Sequence, residues 1–276
     1  MKRRLSLLLG LLLAVISASC GSRATPVDSA QDKAEAVSAP TSRPVTPSRF
    51  SPDSLPPICN CVLRFDRIGI EQGLSQSSVN VSFQDSRGFL WFGTQDGLNR
   101  YDGHIFKTYK PDPDVPYSLS DRWITAIVED KQGYLWVATR LGGLNRYDPR
   151  TENFTHFLHN DGNPASLSDN HVNVLYLDKD DNLWVGTTKG LDLFDRARNT
   201  FEHYGSSQKE GSAGKNITAI FQDHRGRFWV GMTTRGLNRF YPRNHMFVAY
   251  PNNPNNPNSI SYSHVTAIAE DKNGVL

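Results

Sequence analysis

The sequence predicts an all-β fold: a β-propeller of four-stranded antiparallel blades, incomplete, with four blades and the first strand of a fifth. Three observations carry this expectation. Tryptophan returns at Trp91, Trp136, Trp184 and Trp229, at intervals of 45, 48 and 45 residues. An aspartate stands six residues ahead of each one, at Asp85, Asp130, Asp178 and Asp223, and a turn with Gly-Leu follows. Between these landmarks, short β-branched and aromatic runs are separated by turn compositions. A period of this size, filled with short strands, is one blade per repeat, a unit that cannot bury its faces alone.

In chain order, residues 1–21 read as an export signal. Lys2, Arg3 and Arg4 precede an apolar stretch from Leu5 to Ile16 and a small-residue exit at Cys20 and Gly21. At twelve residues the stretch falls short of the roughly 20 that a membrane span needs. Cys20 followed by Gly21 resembles a lipoprotein cleavage site, while Ser17 stands where that pattern prefers leucine. Lipidation at Cys20 and ordinary signal-peptidase cleavage therefore both stay open.

Residues 22–63 form a linker, with seven of the sixteen prolines between Ser22 and Pro57 and one aromatic residue, Phe50. Such a composition buries too little apolar area to offset its ordering entropy and serves as a tether. Setting aside the three signal cations leaves 27 of the 30 basic residues against 28 acidic ones, a balance that excludes nucleic acid as a partner. Cys59 and Cys61, one residue apart, would close a strained ring if bridged to each other, and no neighbouring His or Cys completes a zinc set.

Residues 64–276 carry the partial propeller, with repeats centred on the four tryptophans. The second copy shows the blade most clearly. Its strands are expected over 124–130, 134–139, 144–148 and 154–158. Asp130 followed by Gly133, repeated as Asp85/Gly88, Asp223/Gly226 and Asp271/Gly274, predicts a tight reversal in which the carboxylate accepts backbone N–H groups and glycine takes a positive φ. The third copy departs, with Asp181 in the glycine position. Its acidic run, residues 178–182, fails as a calcium loop because Leu183 and Lys189 occupy the positions that require glycine and glutamate. No metal or other cofactor is expected. The tryptophans themselves are expected to fill the wedges between blades. The residues from 265 open a fifth copy whose tryptophan would fall one position past 276, so the sequence is expected to be part of a longer protein.

In such a meander, the turn between the second and third strands shares one rim with the blade-to-blade loop, and the Asp–Gly turn takes the other. The first rim gathers Arg140, Lys189 and Arg235 against Asp96, with Trp123, His171 and His264 just ahead of the inner strands. This predicts a mildly positive mouth suited to an acidic or sulfated sugar, with Trp123, out of phase with the other indoles, free to stack on it. No catalytic residues are assigned. The eight histidines show no metal spacing such as a His-x-x-x-His with a nearby carboxylate.

The segments 73–80 and 84–103, with their three echoes, together with the connecting phrases at 117–121, 165–169 and 258–262, resemble the two-component regulator propeller repeat. The resemblance covers roughly residues 64–276; Ala138 and Leu193 depart from it locally. It implies the extracytoplasmic, membrane-associated sensor region of a histidine kinase or diguanylate cyclase whose output domain lies outside this sequence, and a response to oligosaccharides. The implied partners are a small-molecule ligand, an oligosaccharide among the candidates, and a membrane reached through the signal, a lipid anchor or a downstream span. A homodimer stays open. The competing readings are a propeller lyase and a free carbohydrate-binding lipoprotein; a scaffold of the WD-repeat type fits less well.

Overall fold

The computed structural model describes residues 67–205 and 216–276. The expected signal at 1–21 with Cys20, the linker at 22–63, and Cys59 and Cys61 lie outside the described residues. Among the described residues, sixteen strands form four antiparallel sheets, each a meander in chain order. Blade 1 comprises β1 (Val79–Gln84), β2 (Leu90–Thr94), β3 (Gly97–Tyr101) and β4 (Phe106–Tyr109). Blade 2 comprises β5 (Ile124–Glu129), β6 (Leu135–Thr139), β7 (Leu144–Asp148) and β8 (Asn153–Phe157). Blade 3 comprises β9 (Val172–Leu177), β10 (Leu183–Thr187), β11 (Leu191–Asp195) and β12 (Thr200–Tyr204). Blade 4 comprises β13 (Ile217–Gln222), β14 (Phe228–Met232), β15 (Leu237–Tyr241) and β16 (Met246–Tyr250).

The inner strands β1, β5, β9 and β13 neighbour one another in that order, and among the described residues the sheets do not close into a ring. The expected fifth inner strand lies against blade 4, where the Val265 N–H donates to the Met232 carbonyl at 3.2 Å. Its Asp271–Gly274 reversal forms as well. Residues 265–270 are not in a strand ladder, because among the described residues no second strand pairs with them.

Three of the four indoles fill wedges between described blades. Trp91 meets Tyr147 of blade 2 edge-on at 5.2 Å, Trp136 meets Phe194 of blade 3 at 4.9 Å, and Trp184 meets Phe240 of blade 4 at 5.6 Å. All three indoles are buried. At about 200 Å2 of buried surface per ring and about 25 cal/mol per Å2, each contributes on the order of 5 kcal/mol as an upper figure.

The six-residue spacing from Asp to Trp has a cause. In blade 1, Asp85 Oδ1 accepts the N–H groups of Arg87 (3.0 Å) and Phe89 (2.9 Å), while Oδ2 accepts the Trp91 indole N–H at 3.0 Å. Asp130, Asp178 and Asp223 bind Trp136, Trp184 and Trp229 in the same way, at 2.8, 3.0 and 2.9 Å. One carboxylate thus shapes the reversal and satisfies the buried indole donor. Gly88, Gly133 and Gly226 take φ of 96, 85 and 78°, and Asp181 takes 68°.

Two belts join neighbouring blades. Each inner strand carries a β-bulge, at Asn80, Thr125, Asn173 and Thr218. A bulge re-aims a side chain, and here each bulged residue reaches the backbone of the next inner strand. Asn80 donates to the Ile124 carbonyl at 3.0 Å, Thr125 to Val172 at 2.6 Å, Asn173 to Ile217 at 3.0 Å, and Thr218 to Val265. At the opposite rim, the N–H that follows each turn aspartate bonds to the next blade. Ser86 donates to Glu129 (2.6 Å), Lys179 to Gln222 (3.2 Å) and His224 to Glu270 (2.8 Å).

Blade 3 has Leu177 where Glu129, Gln222 and Glu270 stand, and there the acceptor for Lys131 N–H is Asp181 at 3.2 Å. Asp181 therefore occupies a glycine position to supply the carboxylate that Leu177 lacks. Ala138 has a similar explanation. It pairs with Ala126, whereas Gly93 and Gly186 face Val81 and Val174, and Gly231, although opposite Ala219, is closed off by Val265. A Cβ at Gly93 would come within 2.6 Å of both Val81 and Ile124.

Candidate functional site

The rim expected to meet a ligand is assembled as the meander requires. The β6–β7 turn is tied to the residue leading into β5 by the Arg140 N–H to Trp123 carbonyl bond (2.9 Å). The β10–β11 turn is tied in the same way by Thr188 N–H to the His171 carbonyl (3.1 Å), and the blade 4 turn by Gly236 N–H to Ser263 (2.8 Å). Gly143 and Gly236 hold φ of 67 and 68° in the two longer turns, where the backbone bends into the left-handed region.

The connecting phrases are clasps before they are rim. Leu74, Leu119 and Leu167 are buried, and the following serine N–H bonds to the third strand: Ser75 to Asn99 (3.0 Å), Ser120 to Asn145 (3.0 Å) and Ser168 to Asp192 (2.8 Å). The loops also brace themselves, with Asp112 N–H bonding to Ser118 Oγ and Asn160 N–H to Ser166 Oγ. Rim side chains therefore project from a fixed frame, which lowers the ordering cost of binding.

The predicted residues fall into three groups. The first is Trp123 with Arg140. Trp123 is half-buried, and the Arg140 guanidinium lies 4.1 Å from its ring centroid. One face of the indole is thus already covered by a cation, so Trp123 is not the free stacking platform that the sequence suggests. Asp121 stands beside this pair and accepts the Leu141 N–H at 2.9 Å.

The second group is His171 with Lys189. Both border Asp169, whose carboxylate accepts the His171 N–H (2.9 Å) and the Thr188 hydroxyl (2.6 Å). Burial pushes the Asp169 carboxyl up, but the Thr188 and His171 hydrogen bonds and the Lys189 charge outweigh it and hold the group below the ordinary carboxylate range. The third group is Arg235 and His264 on and beside blade 4, both exposed. Arg235 offers its carbonyl to Asn238 at 3.3 Å.

The charge of the mouth needs revision. Asp96 is neutralised by Lys110 at 2.6 Å, and Asp121 and Asp169 add two carboxylates that the turn residues alone do not reveal. Both aspartates end the connecting phrases, where the sequence marks them as loop residues. Their proximity to Arg140 and Lys189 arises only when the turn folds back on the loop. The rim is a mixed surface, with each exposed cation near a carboxylate in blades 2 and 3.

Two open grooves lie at the opposite, Asp–Gly rim. One, of about 470 Å3, is lined by Ser86, Arg87, Glu129, Gln132, Tyr134 and Arg150, and the other, of about 270 Å3, by Lys131, Tyr176, Lys179 and Asp181 among others. Their polar groups are taken up by blade contacts: Ser86 with Glu129, Lys131 with Asp181, and Arg150 with Asp148. They are seams between blades.

Several histidines also hold the fold. His156 meets the Ser118 carbonyl, His159 that of Leu167, and His203 that of Pro164, while His224 and His245 pair with Glu270 and Glu202. Among the described residues, no group of three His, Cys, Asp or Glu residues is placed to hold a metal ion.

Comparison with known proteins agrees with this geometry. The model of the family described as two component regulator propeller matches residues 73–96, 118–140, 166–189 and 211–234. Each of the first three windows runs from a connecting clasp to the turn after a tryptophan strand. A stretch of 48 residues is 56% identical to Histidine kinase P4 of Formosa agariphila, covering 17% of this chain and 4% of that protein. Among solved structures, the extracellular domain assigned to a hybrid two-component system of B. thetaiotaomicron has a TM-score of 0.55 at 23% identity, over 76% of this chain and 39% of that one. The extracellular domain assigned to a one-component system of the same organism has a TM-score of 0.56 at 28% identity, over 66% and 26%. The chain thus spans well under half the length of each of these proteins.

Proposed function

We propose, from the premise that this chain is built of two-component regulator propeller repeats, that it is the extracytoplasmic ligand-sensing segment of a bacterial signal-transduction receptor. The single observation that carries the reading is the recurrence, in register, of the repeat motif at residues 73–96, 118–140, 166–189 and 211–234. The output of the parent protein is a histidine kinase or a diguanylate cyclase, and this segment binds without catalysing. Export through the signal at 1–21, with Cys20 as a lipid anchor or a span elsewhere in the parent as the tether, brings the propeller to the membrane surface. The lyase reading is weaker, because His156, His159 and His203 are committed to holding loops.

The ligand we assign to the loop rim is an oligosaccharide, whose hydroxyls suit a surface of mixed charge. Arg140 and Lys189 are exposed on a braced frame, and Asp121, Asp169 and Thr188 stand among them to engage hydroxyls. Trp123 contributes as the support that orients Arg140. The test is a glycan array probed with the natural chain and with Arg140→Ala, Lys189→Ala and Arg235→Ala. Tenfold or greater loss of glycan binding in the first two variants is expected. Unchanged binding in all three would discard the rim as the site.

A further inference from the structure

The loop that joins blades 2 and 3 is fastened by different chemistry from the loop that joins blades 1 and 2. Asp192 is fully buried in the third-strand position that Asn99, Asn145 and Asn238 fill in the other blades. Its Oδ2 accepts the Ser168 N–H, and its Oδ1 faces His203 Nδ1 at 2.7 Å. The other ring nitrogen, Nε2, faces the Pro164 carbonyl at 2.8 Å. Neither the ionised carboxylate nor the carbonyl can donate a hydrogen bond, and a neutral imidazole carries only one N–H. With Asp192 ionised, only the imidazolium satisfies both contacts.

The corresponding places in the other blades make no such demand. In blade 2, His156 meets the Ser118 carbonyl through one nitrogen at 2.6 Å, and the neighbouring third-strand residue is the amide Asn145. In blade 1 the pair is the Thr108 hydroxyl with Asn99 at 3.0 Å. The groups around His203 are few. From β11 comes Asp192, and from the loop come the carbonyls of Pro164 and Ser166. The loop's own carboxylate Asp161 is engaged by His159, and Glu202, next to His203 on β12, pairs with His245.

We propose that Asp192 and His203 form a proton-operated latch on the loop between blades 2 and 3. With His203 charged, the ring bridges the buried carboxylate and Pro164. When the ring loses a proton, the remaining N–H stays on Asp192 and the Pro164 bond is lost. The Asp192 hydrogen bond outweighs burial and holds the His203 imidazolium above the ordinary histidine range. For a group raised on folding, the stabilisation is complete below the unfolded value of about 6.5 and is lost as pH rises through the folded value. The latch is therefore closed in mild acid and opens toward alkaline pH. The same loop carries Asp169 and His171, so the consequence for ligand binding rests on the rim reading above, whereas the latch itself does not.

The test is an NMR titration of the full chain from about pH 5 to 10, following the histidine ring carbons and the Ala165 methyl, which adjoins Pro164. The His203 midpoint is expected above about 6.5, with the Ala165 methyl moving at the same midpoint. Asp192→Asn is expected to lower both by about one pH unit or more. His203→Gln is expected to leave the Ala165 methyl unresponsive to pH, which keeps the test informative if the first variant does not fold. An Ala165 methyl that stays still through the His203 transition, or that still titrates in His203→Gln, would overturn the latch. No glycan enters this experiment, so failure of the rim reading leaves these curves untouched.

Discussion

The two rims of the propeller contrast. At the Asp–Gly rim, all four described blades place the same atoms in the same way: a carboxylate on two backbone N–H groups, its second oxygen on an indole, and the next N–H on the following blade. At the loop rim, the turns differ in length and each carries its own charges. Asp96 pairs with Lys110, Arg140 covers Trp123, and Asp169 gathers Thr188, His171 and Lys189. The contrast teaches where change is tolerated. A side chain that completes a neighbour's backbone can be replaced only if another side chain takes over, as Asp181 does for Leu177. A side chain that faces solvent from a braced loop has no such obligation, and recognition concentrates there.

The contrast breaks if the conserved chemistry of the first rim proves dispensable. Asp130→Ala removes the acceptor of the Gln132, Tyr134 and Trp136 N–H groups and of Arg196 Nη1 at 2.7 Å. Leaving buried donors and a partly buried cation uncompensated is expected to cost about 3–5 kcal/mol in urea unfolding, and a loss below about 1 kcal/mol would show that the carboxylate is not central to the blade.

The next effect sharpens the rule of compensation. Gly93→Ala forces a Cβ against Val81 and Ile124 and is expected to cost about 1–3 kcal/mol. Adding Val81→Ala reproduces the Ala126/Ala138 pair of blade 2 and is expected to recover part of that loss in the same assay. A double variant less stable than Gly93→Ala would refute the pairing. The smallest effect belongs to the loop rim, where Arg140→Ala gives up one exposed cation–π contact and is expected to change stability by less than about 1 kcal/mol while lowering glycan affinity.

Much of the blade was legible because its signals are local. The Asp–Gly reversal and the strand lengths follow from residues within one repeat, and the in-phase indoles follow from the period. The spacing of six from Asp85 to Trp91 was visible, but the indole bond was not, because an Asx turn occupies only one carboxylate oxygen and sequence offers no hint of where the second points. The bulges at Asn80, Thr125, Asn173 and Thr218 were missed for a similar reason, since an extra residue in a ladder emerges only when the partner strand is in place. At the candidate site, Trp123 reads as an unattached ring because Arg140, seventeen positions away, reaches it only through the folded turn. Asp121 and Asp169 close connecting phrases, and the sequence gives no sign that they change the charge of the mouth.

The inner belt bears on how such a chain grows. Asn80, Thr125, Asn173 and Thr218 each grip a main-chain oxygen on the neighbour, an atom that every residue provides alike. A duplicated repeat brings this hydrogen bond with it and asks nothing of the side chain whose carbonyl it meets. This coupling at the axis therefore survives a change in copy number without a matching mutation, whereas the wedge contacts between rings and the Asp–Gly rim contacts, where a backbone N–H meets a neighbour's side chain, must be matched afterwards.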